Sequence, residues 1–169
     1  MSEIVYIGLG SNLGDRERNL GWAAAALSRI DAAAVLSCSS LYDSAPVGPP
    51  QPRYLNAVVE LECALSPQRL LTILKQIETD LGRTPAGRWA PRTVDLDILL
   101  WEGRVVADVN LQIPHLELHK RRFALEPLCE LAPAAHHPLL GASVGELLAA
   151  LGPQDVVRID TALRPMDGG

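Results

Sequence analysis

Hydrophobic positions change period several times along the chain, and each change marks an element. Ile4, Val5, Tyr6 and Ile7 form a β-branched and aromatic run that ends at Gly8-Leu9-Gly10-Ser11-Asn12, which predicts a strand followed by a turn. Residues 15–30 predict a helix, because acidic residues open the segment and Leu20, Ala23, Ala24, Leu27 and Ile30 recur at helical spacing. Residues 35–42 predict a second strand. The stretch 44–52 carries Pro46, Pro49, Pro50 and Pro52, which remove backbone donors and fix φ, so it is predicted to lie outside regular structure. Residues 54–63 alternate: Leu55, Ala57, Val59, Leu61 and Cys63 share one face, and Tyr54, Asn56, Val58, Glu60 and Glu62 the other. Ser66 then caps a helix whose first residue is Pro67, whose apolar stripe is Leu70, Leu74, Ile77 and Leu81, and which Gly82 ends. A polar, arginine-bearing loop over 83–92 leads into a strand over 93–101.

That order, β-α-β-β-α-β, is the split βαβ arrangement. It predicts an α/β (α+β) fold of ferredoxin-like type, with helices packed on a mainly antiparallel sheet. Beyond Trp101 the pattern thins. A short strand is predicted over 104–107, a loop or helical turn over 114–122, and a helix over 123–131 despite Pro127. Ser143 with Glu146 makes a capping box for a helix to Leu151, and the tail from Thr161 is expected to fray. There is no internal repeat or low-complexity linker, so one domain over 1–169 is expected.

Composition changes the picture only in part. With 48% hydrophobic and 21% charged residues over 169 positions, disordered and fibrous classes are excluded. The formal charge of −5 argues against a general nucleic-acid or anionic-membrane binder. Residues 83–122 run the other way, with seven basic residues against five acidic ones, a local +2. Thirteen of the fifteen cations are arginine, the planar fork that suits phosphate and carboxylate. Cys38, Cys63 and Cys129 are widely spaced and show no metal-ligand pattern, so they read as small buried hydrophobes in a reducing cytosol. No signal sequence is visible and no apolar run approaches the ~20 residues of a membrane span, so a cytoplasmic protein is expected.

The sharpest chemical signal is Arg92-Thr93-Val94-Asp95-Leu96-Asp97-Ile98-Leu99-Leu100. On a strand Val94, Leu96, Ile98 and Leu100 share a face while Asp95 and Asp97 project together from the other, about 6.6 Å apart along the chain. Such a pair is either a solvated strand face or a ligand set for one or two hard divalent cations. Spacing alone favours the former. The apolar strand around the pair, with Arg88 and Arg92 just before it, favours cations that bridge phosphates. The chain has only seven aromatic residues, and Tyr54, Trp89 and Phe123 border polar or proline-rich segments. They either cover core edges or stack on a flat ring whose donor–acceptor edge Asn56 is placed to read. His115, after Ile113-Pro114 and before Lys120-Arg121-Arg122, either donates to a phosphate or a leaving oxygen or is an ordinary loop histidine. His136-His137 reads as surface loop. A dinucleotide fingerprint, a P-loop and a serine elbow are all missing.

Four blocks together carry a resemblance: Tyr6-Ile7-Gly8-Leu9-Gly10-Ser11-Asn12-Leu13-Gly14, Tyr54-Leu55-Asn56-Ala57, Arg88-Trp89-Ala90-Pro91-Arg92-Thr93-Val94-Asp95-Leu96-Asp97-Ile98 and Ile113-Pro114-His115. In this order, over about residues 4–133, the chain resembles the 6-hydroxymethyl-7,8-dihydropterin pyrophosphokinase family of folate biosynthesis, with 134–169 as a helical C-terminal extension. The resemblance implies a ferredoxin-like sandwich that transfers the intact diphosphate of ATP to the pterin hydroxymethyl group and releases AMP. It implies two Mg²⁺ ions on Asp95 and Asp97, and a catalytic set of Arg83, Arg92, Asp95, Asp97 and His115. It places the pterin between Tyr54 and Phe123, read by Asn56, walled by Ser44, Ala45 and Val47, with Trp89 closing over it. It assigns Lys75, Glu78, Arg88, Arg92, Ile98, His115 and Arg121 to ATP. The departures from the family pattern fall at Ala45, Lys75, Ala90, Asn110 and Leu116, and loop 84–87 carries no arginine. ATP and the pterin are then the partners, with no nucleic acid, no membrane and a monomeric state. Two other classes compete on the residues alone: another Mg²⁺-dependent phosphotransferase or nuclease, and a ferredoxin-like binding module for RNA or a regulatory small molecule. The −5 charge and the lack of an aromatic-rich strand weigh against RNA.

Overall fold

The computed structural model describes residues 2–82 and 93–166. The chain runs β1 (Glu3–Ser11), α1 (Arg16–Ser28), β2 (Ala33–Cys38), β3 (Ser40–Ser44), β4 (Tyr54–Cys63), α2 (Pro67–Gly82) and β5 (Asp95–Trp101). Then follow β6 (Val106–Ala107), β7 (Gln112–Ile113), a 3₁₀ turn (Leu118–Lys120), α3 (Arg122–Leu131), β8 (His136–His137), β9 (Ala142–Ser143), α4 (Val144–Ala150) and β10 (Val156–Ala162). The main sheet has the order β10-β3-β4-β1-β5, with β2 also beside β4, and each of these strand pairs is antiparallel. This is the predicted ferredoxin-like order, in which each helix returns the chain across one intervening strand.

Period-two alternation assigns the two faces. Val5, Ile7 and Leu9 of β1 and Leu55, Ala57, Val59, Leu61 and Cys63 of β4 point to one side, where Leu20, Ala23, Ala24 and Leu27 of α1 and Leu70, Leu74 and Ile77 of α2 meet them. On the other side Tyr6, Val58, Leu99 and Leu100 pack under Ala124, Leu125 and Leu128 of α3, and Val144 of α4 completes that cluster. Among the described residues no helix is long and apolar enough to cross a membrane.

Several expectations need correction. Helix α1 is shorter than 15–30 because Asp15 is its N-cap, accepting the Arg18 N–H at 3.1 Å. The single strand expected over 35–42 is two, β2 and β3, broken at Ser39. The Ser39 hydroxyl takes the Val58 N–H at 2.9 Å in place of a backbone carbonyl, which interrupts the ladder. Leu100 does not share a face with Val94, Leu96 and Ile98. β1 pairs Ile7 with Ile98 and Tyr6 with Leu100, so Leu99 is an extra residue; the bulge shifts the phase and sends Trp101, not Leu100, to the α1/α2 side. The C-terminal extension is not purely helical: after α4, with its Ser143–Glu146 capping box, β10 joins the sheet beside β3. Nor does the tail fray at Thr161, because the Leu163 N–H donates to the Ser39 carbonyl at 2.9 Å and Leu163 is buried. His136-His137 is a two-residue strand rather than a loop, and His137 is buried. The cysteine reading holds for Cys63, which is buried; Cys38 and Cys129 are half-buried, and all three are free thiols.

Candidate functional site

Strand β1 creates the site by what it lacks. Tyr6, Gly8 and Gly10 occupy its α3-side face, so beyond Tyr6 the central strand carries no side chain there. The turn expected at Gly8-Leu9-Gly10 is instead the end of this strand, and the two glycines form the floor of a cleft of about 200 Å³. A Cβ on Gly8 would stand 3.1 Å from a Leu99 methyl, and one on Gly10 3.5 Å from Asn56 Oδ1. The register sets what flanks the floor. Gly10 lies between Asn56 on β4 and Asp95 on β5, and Gly8 between Val58 and Asp97. With neighbouring strands about 4.8 Å apart, the β4 and β5 side chains of each row stand roughly 10 Å from each other across bare backbone.

The β4 side of the cleft is neutral and fixed. The Asn56 amide nitrogen donates to Ser44 Oγ at 2.7 Å and to the Tyr42 carbonyl at 3.3 Å, which leaves its Oδ1 as an acceptor at the cleft. Tyr54 lies beside it, and burial first, then the Asp95 charge, pushes its phenol pKa up. Ser44, Ala45 and Val47 make one wall; Leu118, Phe123 and Ala124 make another. Phe123 sits at the start of α3 with the Arg121 guanidinium 5.6 Å from its ring centroid. The β5 side is charged: Asp95 is half-buried, Asp97 is exposed, and both line the cleft with His115 and Arg121. The His115 N–H donates to the Leu99 carbonyl at 2.9 Å, which seats the residue against the bulge. Its Nδ1 accepts the Glu117 N–H at 3.1 Å, so the proton of the neutral ring is on Nε2. Burial depresses the His115 pKa and Arg121 adds to that, against the opposing pull of Asp97 and Glu117.

The structure therefore brings Ser44, Ala45, Val47, Tyr54, Asn56, Asp95, Asp97, His115, Arg121 and Phe123 to one cleft. Lys75, Glu78 and Ile98 do not line it. Ile98 points into the α1/α2 core; Glu78 on α2 is buried and accepts the Leu96 N–H at 2.7 Å, with the Lys75 ammonium 3.5 Å away. Glu78 and, through it, Lys75 thus stand beside β5 at Leu96, the residue between the two aspartates. Arg83, Arg88, Trp89 and Arg92 lie outside the described residues. Sequence reasoning missed the floor glycines and Leu99. The signal for the glycines was their phase with Tyr6 on a strand; no sequence signal marked the bulge that turns Leu99 into the cleft.

The pair Asp95/Asp97 suits a hard cation by donor type. Among the described residues no third histidine, cysteine or acidic group joins them to complete a metal cage. Two carboxylates with the remaining positions left to phosphate and water match the coordination habit of Mg²⁺.

A family model described as "7,8-dihydro-6-hydroxymethylpterin-pyrophosphokinase (HPPK)" matches residues 6–133. The 2-amino-4-hydroxy-6-hydroxymethyldihydropteridine pyrophosphokinase of Bacillus subtilis is 46% identical over 132 residues, 78% of this chain and 79% of that one. The enzyme of the same name from Pseudomonas aeruginosa is 39% identical over 163 residues, 96% of this chain and 100% of that one. In fold the chain is similar to the crystal structure of Plasmodium falciparum HPPK-DHPS with pteroate, at TM-score 0.71 and 13% identity, over 88% of this chain and 44% of that longer one. The chain belongs to the 7,8-dihydro-6-hydroxymethylpterin pyrophosphokinase family and is an enzyme of that class.

Proposed function

We propose that this chain, a single domain, transfers the intact diphosphate of ATP to the hydroxymethyl group of 6-hydroxymethyl-7,8-dihydropterin in folate biosynthesis. The observation that carries the reading is the two-sided cleft. A neutral, hydrogen-bonded ring site on β4 and a carboxylate pair on β5 face each other across a glycine floor, at the spacing of a substrate that is flat at one end and reacts at the other.

The pterin ring stacks between Tyr54 and Phe123, and its N–H edge donates to Asn56 Oδ1, whose own N–H donors are already engaged. Ser44, Ala45 and Val47 close the end of the ring site, and Trp89 covers it. Ring binding thereby directs the exocyclic hydroxymethyl toward β5. Its oxygen attacks the β-phosphorus of ATP, the bond from that phosphorus to the α,β-bridging oxygen breaks, and AMP leaves with the bridging oxygen. The hydroxyl proton passes to a phosphate oxygen or solvent. Asp95 and Asp97 would hold two Mg²⁺ ions, which would supply charge neutralisation to the triphosphate. Arg83, Arg88, Arg92 and Arg121 bind the phosphates, and His115 donates from Nε2 to a phosphate oxygen. Lys75, Glu78 and Ile98 stand on the nucleoside side. Positioning and electrostatics carry the rate, since a phosphoryl acceptor of this kind needs alignment more than a strong base. The protein acts as a cytoplasmic monomer, on small molecules alone, with no nucleic acid and no membrane.

The test is product identity. Purified protein with ATP, Mg²⁺ and reduced hydroxymethylpterin is expected to release AMP in step with pterin diphosphate. ADP as the product, or turnover unaffected by a metal chelator, would overturn the reading.

A further inference from the structure

The segment beyond residue 133 lies outside the family match, yet two adjacent residues of it hold both walls of the cleft. Gln154 grips the wall that carries Arg121 and Phe123. Its side-chain oxygen accepts the Arg122 N–H at 3.0 Å, and its amide nitrogen donates to the Lys120 carbonyl at 2.9 Å. Arg122 is the first residue of α3, so its N–H has no partner within the helix, and the N-cap Arg121 supplies no side-chain acceptor. Gln154 is that cap, delivered from 32 residues away. It fixes the backbone on each side of Arg121 and one residue before Phe123. A primary amide carries the acceptor and the donor on separate atoms of one planar group, and Gln154 uses both.

Asp155 holds the other wall. Its carbonyl accepts the Ala45 N–H at 3.1 Å, at the point where the chain leaves β3 for the proline-rich segment. Its carboxylate takes both terminal nitrogens of Arg53, at 2.8 and 3.0 Å, where that segment re-enters β4. Arg53 Nε donates to Asp43, and Arg16 of α1 reaches the same Asp43 carboxylate at 3.1 Å. The wall formed by Ala45 and Val47 is thus fastened at both ends to one residue, and β10 continues from there in register, Val156 opposite Ser44. An isolated exposed ion pair adds little, but this one closes a network around a loop whose backbone is also held.

We propose that Gln154 and Asp155 form a brace that sets the separation of the two walls, and are positioning residues for the pterin. The inference rests on the ring site proposed above. Without the brace the walls must be ordered by the ligand, so affinity for the ring falls; on the phosphate side only the backbone about Arg121, one of four arginines assigned there, is loosened and the β5 carboxylates are untouched, so affinity for ATP falls less.

The experiment uses the full chain carrying Gln154→Ala, Asp155→Ala or both. The double variant is expected to raise the KM for the pterin by about 10-fold and each single variant by about 3-fold, with the KM for ATP within about 2-fold. Gln154→Glu, which keeps the acceptor but sets a negative charge against the Lys120 carbonyl, should behave like Gln154→Ala. Arg104→Ala, which removes an equally exposed ion pair with Glu3, should change neither KM. In parallel, amide exchange at Arg122 and Ala45 reads the brace without substrate, and Arg122 should exchange about 10-fold faster in Gln154→Ala while the core of α1 is unchanged. Unchanged Arg122 exchange, or the two KM values and thermal stability moving together, overturns the brace. Wild-type protein with no pterin-dependent AMP release overturns the ring site instead.

Discussion

The two faces of the sheet are built from the same strands and do opposite work. On the α1/α2 face the odd residues of β1, Val5, Ile7 and Leu9, are branched and buried under both helices. On the α3 face the even residues of the same strand are Tyr6, Gly8 and Gly10, and the side-chain layer stops after Tyr6. α3 reaches only part of this face, because its first turn begins at Arg122 with Phe123 at the cleft edge. The cleft is therefore not carved into a core. It is the half of one face that the helix does not cover, floored by residues with nothing to pack. Chemistry resides where the alternation withholds side chains, and stability where it supplies them.

The largest test of that division is Asp97→Ala. Asp97 is exposed on the open face and supports no packing, so its loss should lower turnover by roughly 100-fold or more while leaving thermal unfolding unchanged. A small change in kcat, measured with a melt on the same sample, would break the assignment of the carboxylate pair. The complementary change is Leu20→Ala on the packed face. Leu20 is fully buried between α1 and the sheet, so its truncation should cost about 2–5 kcal/mol in denaturant unfolding, with the KM of the surviving folded protein unmoved. A selective KM effect there would mean that the two faces are not independent. Phe123→Ala is smaller and more specific. It should weaken pterin binding by about 1–3 kcal/mol in calorimetry and leave an ATP analogue far less affected.

The packed face was the more legible one. Leu20, Ala23, Ala24, Leu27 and Leu70, Leu74, Ile77 repeat at helical spacing, and β4 alternates without interruption, so periodicity alone assigns them. The site was legible where chemistry is written in side chains: Asp95, Asp97, Asn56, Tyr54 and Phe123 all reach the cleft. It was illegible where geometry decides. Glycines in a strand look like a turn, and the Leu99 bulge depends on pairing with β1, which no local window contains. Ser39 reads as one more strand residue until its hydroxyl is seen to replace a carbonyl in the ladder. Strand β10 was missed because its apolar content is modest; five of its seven residues are exposed flanks of an edge strand, and its pairing partner lies more than a hundred residues earlier. Glu78 shows a third kind of limit. The family resemblance assigns it to ATP, and in the fold it also accepts the N–H of Leu96, between the two aspartates, a contact that no local window of sequence contains.

The smallest effect sharpens the comparison at the closed end of the α3 face, where β8 and β9 form a hairpin. His137 is buried there, and its Nδ1 accepts the Leu139 and Leu140 N–H groups at 3.3 and 3.2 Å. A proton on Nδ1 would end both bonds and place a charge beside His119 and His136. Burial first, then the His119 charge and least the His136 charge, accordingly hold the His137 pKa below the usual 6.5, against an opposing backbone hydrogen bond. In the unfolded chain the ring takes up its proton at about 6.5, before the folded state does. The unfolded state thus binds more protons in this window, and stability should decline as pH falls from 6.5 toward the depressed folded value. Above 6.5 both states are neutral and the dependence from this residue vanishes. His115 is depressed in the same direction and adds a parallel slope, so the difference between wild type and His137→Asn isolates the hairpin. The variant should melt earlier at pH 8, having lost its fit, but lose less stability than wild type between pH 7 and pH 5. Parallel melting curves across that range would show that the slope arises at the open cleft rather than beneath the hairpin.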